Sequence, residues 1–161
     1  MRRIDYQGIA PKAVSTMLEM QRYVDQCSLE RPLLELAKLR ASQINGCAYC
    51  VDMHSKDLRA LGESEQRLYA VVVWREAPFF NDRERAALAW TEAVTLVSET
   101  GVPDDVYENA RSQFNEKELV DLTMAVIAIN GWNRLAISFR AVAGSYQPPS
   151  PVGGSEAKAD S

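Results

Sequence analysis

Apolar side chains along this chain recur every three or four residues, and no useful stretch alternates with period two. From about Lys12 to Cys27 the recurring positions are Val14, Met17, Leu18, Met20, Tyr23 and Val24. They predict an amphipathic helix after an extended arm, residues 1–11, that ends at Pro11. Ser28 is placed to cap a second helix over Leu29–Ile44, with Pro32 tolerated in its first turn. Leu33, Leu36, Ala37, Ala41 and Ile44 form its apolar stripe. The Asn45-Gly46 pair reads as the start of a third helix, from Gly46 to about Leu61, closed by Gly62. Ser64 caps a fourth that carries Leu68, Tyr69, Val71, Val72, Val73 and Trp74, and Ala77-Pro78-Phe79-Phe80 breaks it. A fifth opens at Asn81 or Asp82 and runs through Ala86, Ala87, Leu88, Trp90, Ala93, Val94 and Val97 to Gly101, after which Pro103-Asp104-Asp105 opens a short sixth. Asn115 and Glu118 form an N-x-x-E start for the last helix, Leu119 to about Val142. That helix is apolar on most sides and has to be covered on several faces. The fold class is therefore all-α.

The 161 residues suffice for one domain with a real core and are too few for two comfortable ones. The helical domain spans 12–145; after Tyr146 the chain turns to Pro, Gly, Ser and Ala with scattered charges, so 146–161 is expected to be a disordered tail. Net charge is −4, with no lysine and arginine cluster of the kind a nucleic-acid surface uses. No run of eighteen apolar residues occurs, and Met1-Arg2-Arg3-Ile4-Asp5-Tyr6 has no apolar stretch after its arginines. A cytoplasmic protein without a membrane partner is expected. Three cysteines, an odd number in a chain without a secretory signal, point to thiol chemistry rather than a disulfide framework.

That chemistry concentrates in one stretch, where Cys47, Cys50 and His54, the only histidine, fall within eight positions. On a helix beginning at Gly46 these three side chains share an arc of about 60°, together with Val51, Leu58 and Leu61, so they look into the protein or an interface. Unpaired N–H groups of a first helical turn favour a thiolate at Cys47 or Cys50, and His54, one turn beyond Cys50, is placed to take its proton. A two-residue gap also permits a Cys47–Cys50 disulfide. Cys27, with no histidine or cysteine beside it, reads as a packed or inert thiol. A closed zinc site would need four ligands, and the only further cysteine is Cys27 on an earlier helix. Haem attachment would need a histidine where Val51 stands. Glu35 lies at the edge of its helix's apolar stripe, and periodicity alone makes it a solvated glutamate.

The run from Leu39 to His54 resembles the core of the alkylhydroperoxidase AhpD family, within the wider carboxymuconolactone decarboxylase-like superfamily. That family's motif is a glutamate, a C-x-x-C after eleven residues, and a histidine four positions past the second cysteine; Glu35, Cys47, Cys50 and His54 stand at those positions. The run Glu118-Leu119-Val120-Asp121-Leu122 through Asn130-Gly131-Trp132-Asn133-Arg134-Leu135 is similar to the same subgroup. One position departs: the best-studied branch often has a second histidine directly before the second cysteine, where this chain has Tyr49. A relay through two imidazoles is thus unavailable, and a different subgroup is implied.

The resemblance implies an AhpD-like helical bundle that forms homo-oligomers, trimers or hexamers. It implies a thiol peroxidase for hydrogen peroxide or organic hydroperoxides with catalytic residues Cys50, Cys47, His54 and Glu35. Cys50 would attack the peroxide and become a sulfenic acid, Cys47 would supply a proton and then resolve it as a disulfide, and His54 and Glu35 would activate Cys50. Glu35 is then turned toward the cysteine helix. A dithiol reductant, in the family typically a lipoyl group on a partner protein, would restore the thiols, with no haem, flavin or metal cofactor required. The rival readings are a decarboxylase or lactone-type enzyme like the superfamily's other branch, which does not need C-x-x-C, and a non-catalytic redox-sensing helical oligomer.

Overall fold

The computed structural model describes residues 2–149, and all regular structure among them is helical. A short turn of helix, α1 (Tyr6–Ile9), precedes α2 (Pro11–Asp25). The amino-terminal arm is thus not extended throughout. Its start is tied to the far end of the chain: Arg3 N–H donates to the Phe139 carbonyl at 3.0 Å, and the Tyr6 and Phe139 rings lie 5.3 Å apart.

The next helix, α3 (Arg31–Asn45), begins two residues later than its stripe predicts. Glu30, not Ser28, is its N-cap and makes no side-chain capping bond. Pro32 in the first turn has no N–H to satisfy, which lessens the need for a cap, and Leu29 is instead buried in the core. Gly46 closes α3 in the left-handed region at φ 69°, and the following helix, α4 (Ala48–Ala60), starts with Cys47 as its N-cap. The third helix therefore starts after Gly46 rather than on it.

Ser64 caps α5 (Glu65–Ala70) as expected, but the run continues as a 3-10 turn over Val71–Val73. Asn81 and Glu84 form a reciprocal capping box for α6 (Asp82–Thr95). The fifth predicted helix is broken at Leu96, and its end is a separate turn, α7 (Val97–Thr100), closed by Gly101. Then come α8 (Asp104–Gln113) and α9 (Glu116–Phe139), the latter opened by the Asn115–Glu118 capping box. α9 stops before Val142 because Arg140 takes a left-handed conformation, letting Ala141 N–H reach back to the Ala136 carbonyl at 2.9 Å. Residues 140–149 form no regular element, and the rest of the expected tail, 150–161, lies outside the described residues.

Packing centres on α3, which lies against α4, α6 and α9. It supplies every core cluster of the described residues. Leu33, Leu34 and Ala37 meet Trp90, Phe114 and Leu122, while Leu36 and Leu39 meet Leu58, Trp74 and Leu88. Ala41 joins Cys47, Cys50, Ile129 and Ala136. Covered from several sides, α3 also carries Glu35, Lys38 and Ser42 into the interior. No helix of the described residues is long and apolar enough to cross a membrane.

Leu36→Ala, at the centre of this packing, is expected to lower unfolding free energy by about 2–5 kcal/mol in urea titration. Leu61→Ala, on an exposed side chain, should change it by about 0.5 kcal/mol or less.

Candidate active site

The α3–α4 junction brings the two thiols together. With Cys47 extended at φ −84° and ψ 94°, its Sγ accepts the Cys50 backbone N–H at 3.4 Å, so the first cysteine caps the helix that bears the second. Both are free thiols, 2% and 1% exposed. His54 lies one turn further along the same face and Leu58 continues it into the core, whereas Leu61 is exposed.

Glu35 is buried, not solvated. It accepts His54 Nδ1–H on Oε2 at 2.7 Å and the Lys38 ammonium on Oε1 at 2.9 Å. Burial pushes its carboxyl pKa up, but the His54 hydrogen bond and the Lys38 charge more than reverse that and hold it down at about 2. With Nδ1–H given to Glu35, Nε2 is the ring nitrogen left for another partner. Nε2 is buried and has no hydrogen-bond partner, so neither thiol contacts it directly. His54 and Cys50 lie on the shared face that helical spacing predicts, with no direct hydrogen bond between them. The two instead border one common space.

That space is a cleft of about 320 Å³. Cys50 and His54 line it, and Cys47 does not. Tyr6, Tyr49, Met53 and Trp132 give it an aromatic and apolar flank, while Asp25, Arg31, Glu35, Lys38 and Asp57 line it with charges of both signs. Tyr49, at the position of the missing second histidine, is thus a wall of the cleft.

The two thiols differ in acidity. The Cys50 S–H donates to Cys47, and with the Cys50 and Tyr49 backbone N–H groups and Asn133 this overcomes burial and lowers the Cys47 pKa to about 7. The same bond, with burial, raises Cys50 well above the ordinary thiol value. Ionisation is therefore easier at Cys47, at the helix N-terminus, than at Cys50, which lines the cleft.

Several site residues have no signature in the sequence. Lys38 follows Glu35 by one helical turn, the single local hint of its role, and its Nζ also lies 3.7 Å from Asp25. Asp57 Oδ2 is 3.9 Å from His54 Nδ1, and Tyr146 donates to Asp57 Oδ1 at 2.6 Å. Tyr146 is held here by Lys56 and by the Gly144–Asp52 hydrogen bond, so the expected tail is anchored at its first residue. Glu35, His54 and Asp57 have donor atoms within 4.8 Å of one another, a possible cation cluster in outline. Both Glu35 oxygens are already used, one by an ammonium that would repel a cation, so this donor set does not fit a metal. Cys27 packs on the core of α2 and α3, among Val24 and Leu29.

The sequence and the fold match a known group of proteins. Residues 10–93 fit the model of the carboxymuconolactone decarboxylase family, and the chain belongs to that family. It is 43% identical over 136 residues, 84% of this chain and 92% of the relative, to the uncharacterised YdfG of Bacillus subtilis. A crystal structure of an Agrobacterium tumefaciens protein of unknown function, described as a candidate antioxidant defence protein AhpD, superposes with a TM-score of 0.88 at 45% identity. That match covers 91% of this chain and all of the other. The debrominase Bmp8, solved with 2,3,4-tribromopyrrole, shares the fold with a TM-score of 0.78 at 16% identity, over 86% of this chain and 74% of Bmp8.

Glu35 also links the site to stability. Its carboxyl is held at about 2 against an ordinary 4.5, so its contribution is fully present above about pH 4.5 and is lost as pH falls through about 2. The shift corresponds to about 3 kcal/mol. Urea unfolding at successive pH values should show stability falling across that window, with a flatter profile in Glu35→Gln. An equal slope in both proteins would contradict the assignment.

Proposed function

We propose that the protein is a thiol-dependent peroxidase that reduces hydrogen peroxide or organic hydroperoxides through Cys50 and Cys47. The observation that carries this reading is that Cys50 lines a substrate-sized cleft together with His54, while its backbone N–H donates to the Cys47 sulfur behind it. Two such thiols carry the two electrons that a peroxide bond accepts.

In the proposed cycle the shared proton moves from Cys50 to Cys47 as peroxide enters, placing the anion on the sulfur that faces the cleft. The Cys50 thiolate attacks one peroxide oxygen, the O–O bond breaks, and Cys50 becomes a sulfenic acid. Cys47 passes its proton to the departing alkoxide, which leaves as an alcohol or, from hydrogen peroxide, as water. The Cys47 thiolate then attacks the Cys50 sulfur. A Cys47–Cys50 disulfide forms, and the hydroxide leaves as water with a proton delivered through His54. Glu35 keeps that imidazole oriented and supports the positive charge it gains in transit. A dithiol reductant, such as a lipoyl group on a partner protein, returns two electrons and two protons by exchange through a mixed disulfide. The exposed apolar side chains of α9, Val120, Ile127 and Ile137, are a surface on which copies of the chain would pair in a trimer or hexamer.

Purified protein with a dithiol should consume peroxide at a rate that rises through about pH 7, the Cys47 value. Cys50→Ser should abolish turnover. Cys47→Ser should stop after one equivalent, with a sulfenic acid trapped at Cys50 by a dimedone-type reagent. Stoichiometric sulfenic acid at Cys47 in the Cys50→Ser protein would reverse the roles, and absence of any peroxide-dependent disulfide in the parent protein would defeat the reading.

A further inference from the structure

Asn133 lies in the middle of α9 and is fully buried, yet no part of the cycle above uses it. Its neighbours on the same helical face, Ile129 and Ala136, pack against Cys47 and Cys50, so the Asn133 amide is carried into the wall behind the sulfurs. A buried amide must satisfy its donors and its acceptor, and here the network fixes which end points where. Ser42 Oγ–H donates to the Lys38 carbonyl at 2.7 Å, leaving Ser42 Oγ as an acceptor. Asn133 Nδ2 donates to that oxygen at 3.1 Å. Asn45 Nδ2, which has two hydrogens, donates to Asn133 Oδ1 at 2.9 Å and to Asn130 Oδ1 at 3.0 Å. The carbonyl end is therefore held by Asn45. The amino end faces the opposite way, with one hydrogen on Ser42 and the other free for the thiols.

We propose that Asn133 is the hydrogen-bond donor that holds negative charge on the Cys47–Cys50 pair, with its amide aimed by Asn45 and Ser42. It sits between Ile129 and Ala136 in the wall that packs on the sulfurs and works alongside the helix N-terminus that Cys47 caps. The second N–H is left on the helical face where Ile129 and Ala136 pack on Cys47 and Cys50, and an amide hydrogen there favours the anion at either sulfur. A charge that moves between two sulfurs during a reaction is best served by a donor lying against both. A single backbone N–H cannot follow the charge from one atom to the other. The role assigned to Asn133 rests on the reading of these cysteines as a redox pair.

The test measures thiolate directly and needs neither peroxide nor reductant, so it can fail independently of the peroxidase reading. Absorbance at 240 nm would be followed against pH, subtracting a Cys47→Ser/Cys50→Ser protein to remove Cys27 and the aromatic background. The parent protein should titrate near pH 7. Asn133→Leu, which keeps an apolar filling and removes the donor, should move the midpoint upward by about one pH unit, a tenfold loss of thiolate near neutrality. Asn45→Ala leaves the amide in place but frees its carbonyl end, and should give a smaller shift in the same direction. Circular dichroism would confirm that each variant is folded. An unmoved midpoint in folded Asn133→Leu overturns the proposal. If that variant does not fold, an unmoved midpoint in Asn45→Ala does so.

Discussion

The chain has to end α3 and begin α4 within two residues, Gly46 and Cys47, and the reactive groups take their positions from that junction. A Cβ built on Gly46 would meet no atom within 4 Å, so crowding does not demand glycine there. The demand comes from φ 69°, a conformation that side-chain-bearing residues adopt only with strain. With the turn made, Cys47 N–H still reaches back to the Ser42 carbonyl at 3.0 Å while its sulfur caps the next helix. One residue thereby closes α3 and opens α4. Glu35 on α3 and His54 on α4 then face each other because the two helices pack from this hinge outward.

The site is also a balance of buried charge. Glu35 would be costly in the interior alone, and so would Lys38; together with His54 they form a hydrogen-bonded series in which both carboxylate oxygens are used. The series stops at Nε2, the one buried polar side-chain atom among the described residues with no partner. An unsatisfied donor or acceptor is expensive to keep, and the residue that carries it lines the cleft together with Cys50.

The sequence made some of this visible and hid the rest for physical reasons. Helical periodicity identified α2, α3, α4, α6 and α9 because each buries a regular face, and the Asn115–Glu118 spacing marked a real capping box. It failed where local backbone conformation overrode pattern: the break at Leu96, the 3-10 turn after Ala70 and the left-handed Arg140 interrupt apolar runs that look continuous. Cys47, Cys50 and His54 were legible because they are local. Glu35 looked like a surface glutamate, and only its spacing from the cysteines in a resembling family marked it as different, since α3 is buried on far more of its circumference than an amphipathic stripe implies. Asn133 and Tyr146 reach the site from 80 or more positions away, and no local pattern could reveal that.

His54 is the only histidine in the chain. Its imidazole signals in a proton–nitrogen correlation spectrum would therefore belong to this site without any resonance assignment. Nitrogen chemical shifts distinguish which ring nitrogen bears hydrogen, so one isotope-labelled sample would report the tautomer held by Glu35. The same pair of peaks would register reduction state and ligand entry as they occur. A chain with histidines elsewhere would bury that information in overlap, whereas here the composition itself makes the molecule its own spectroscopic probe.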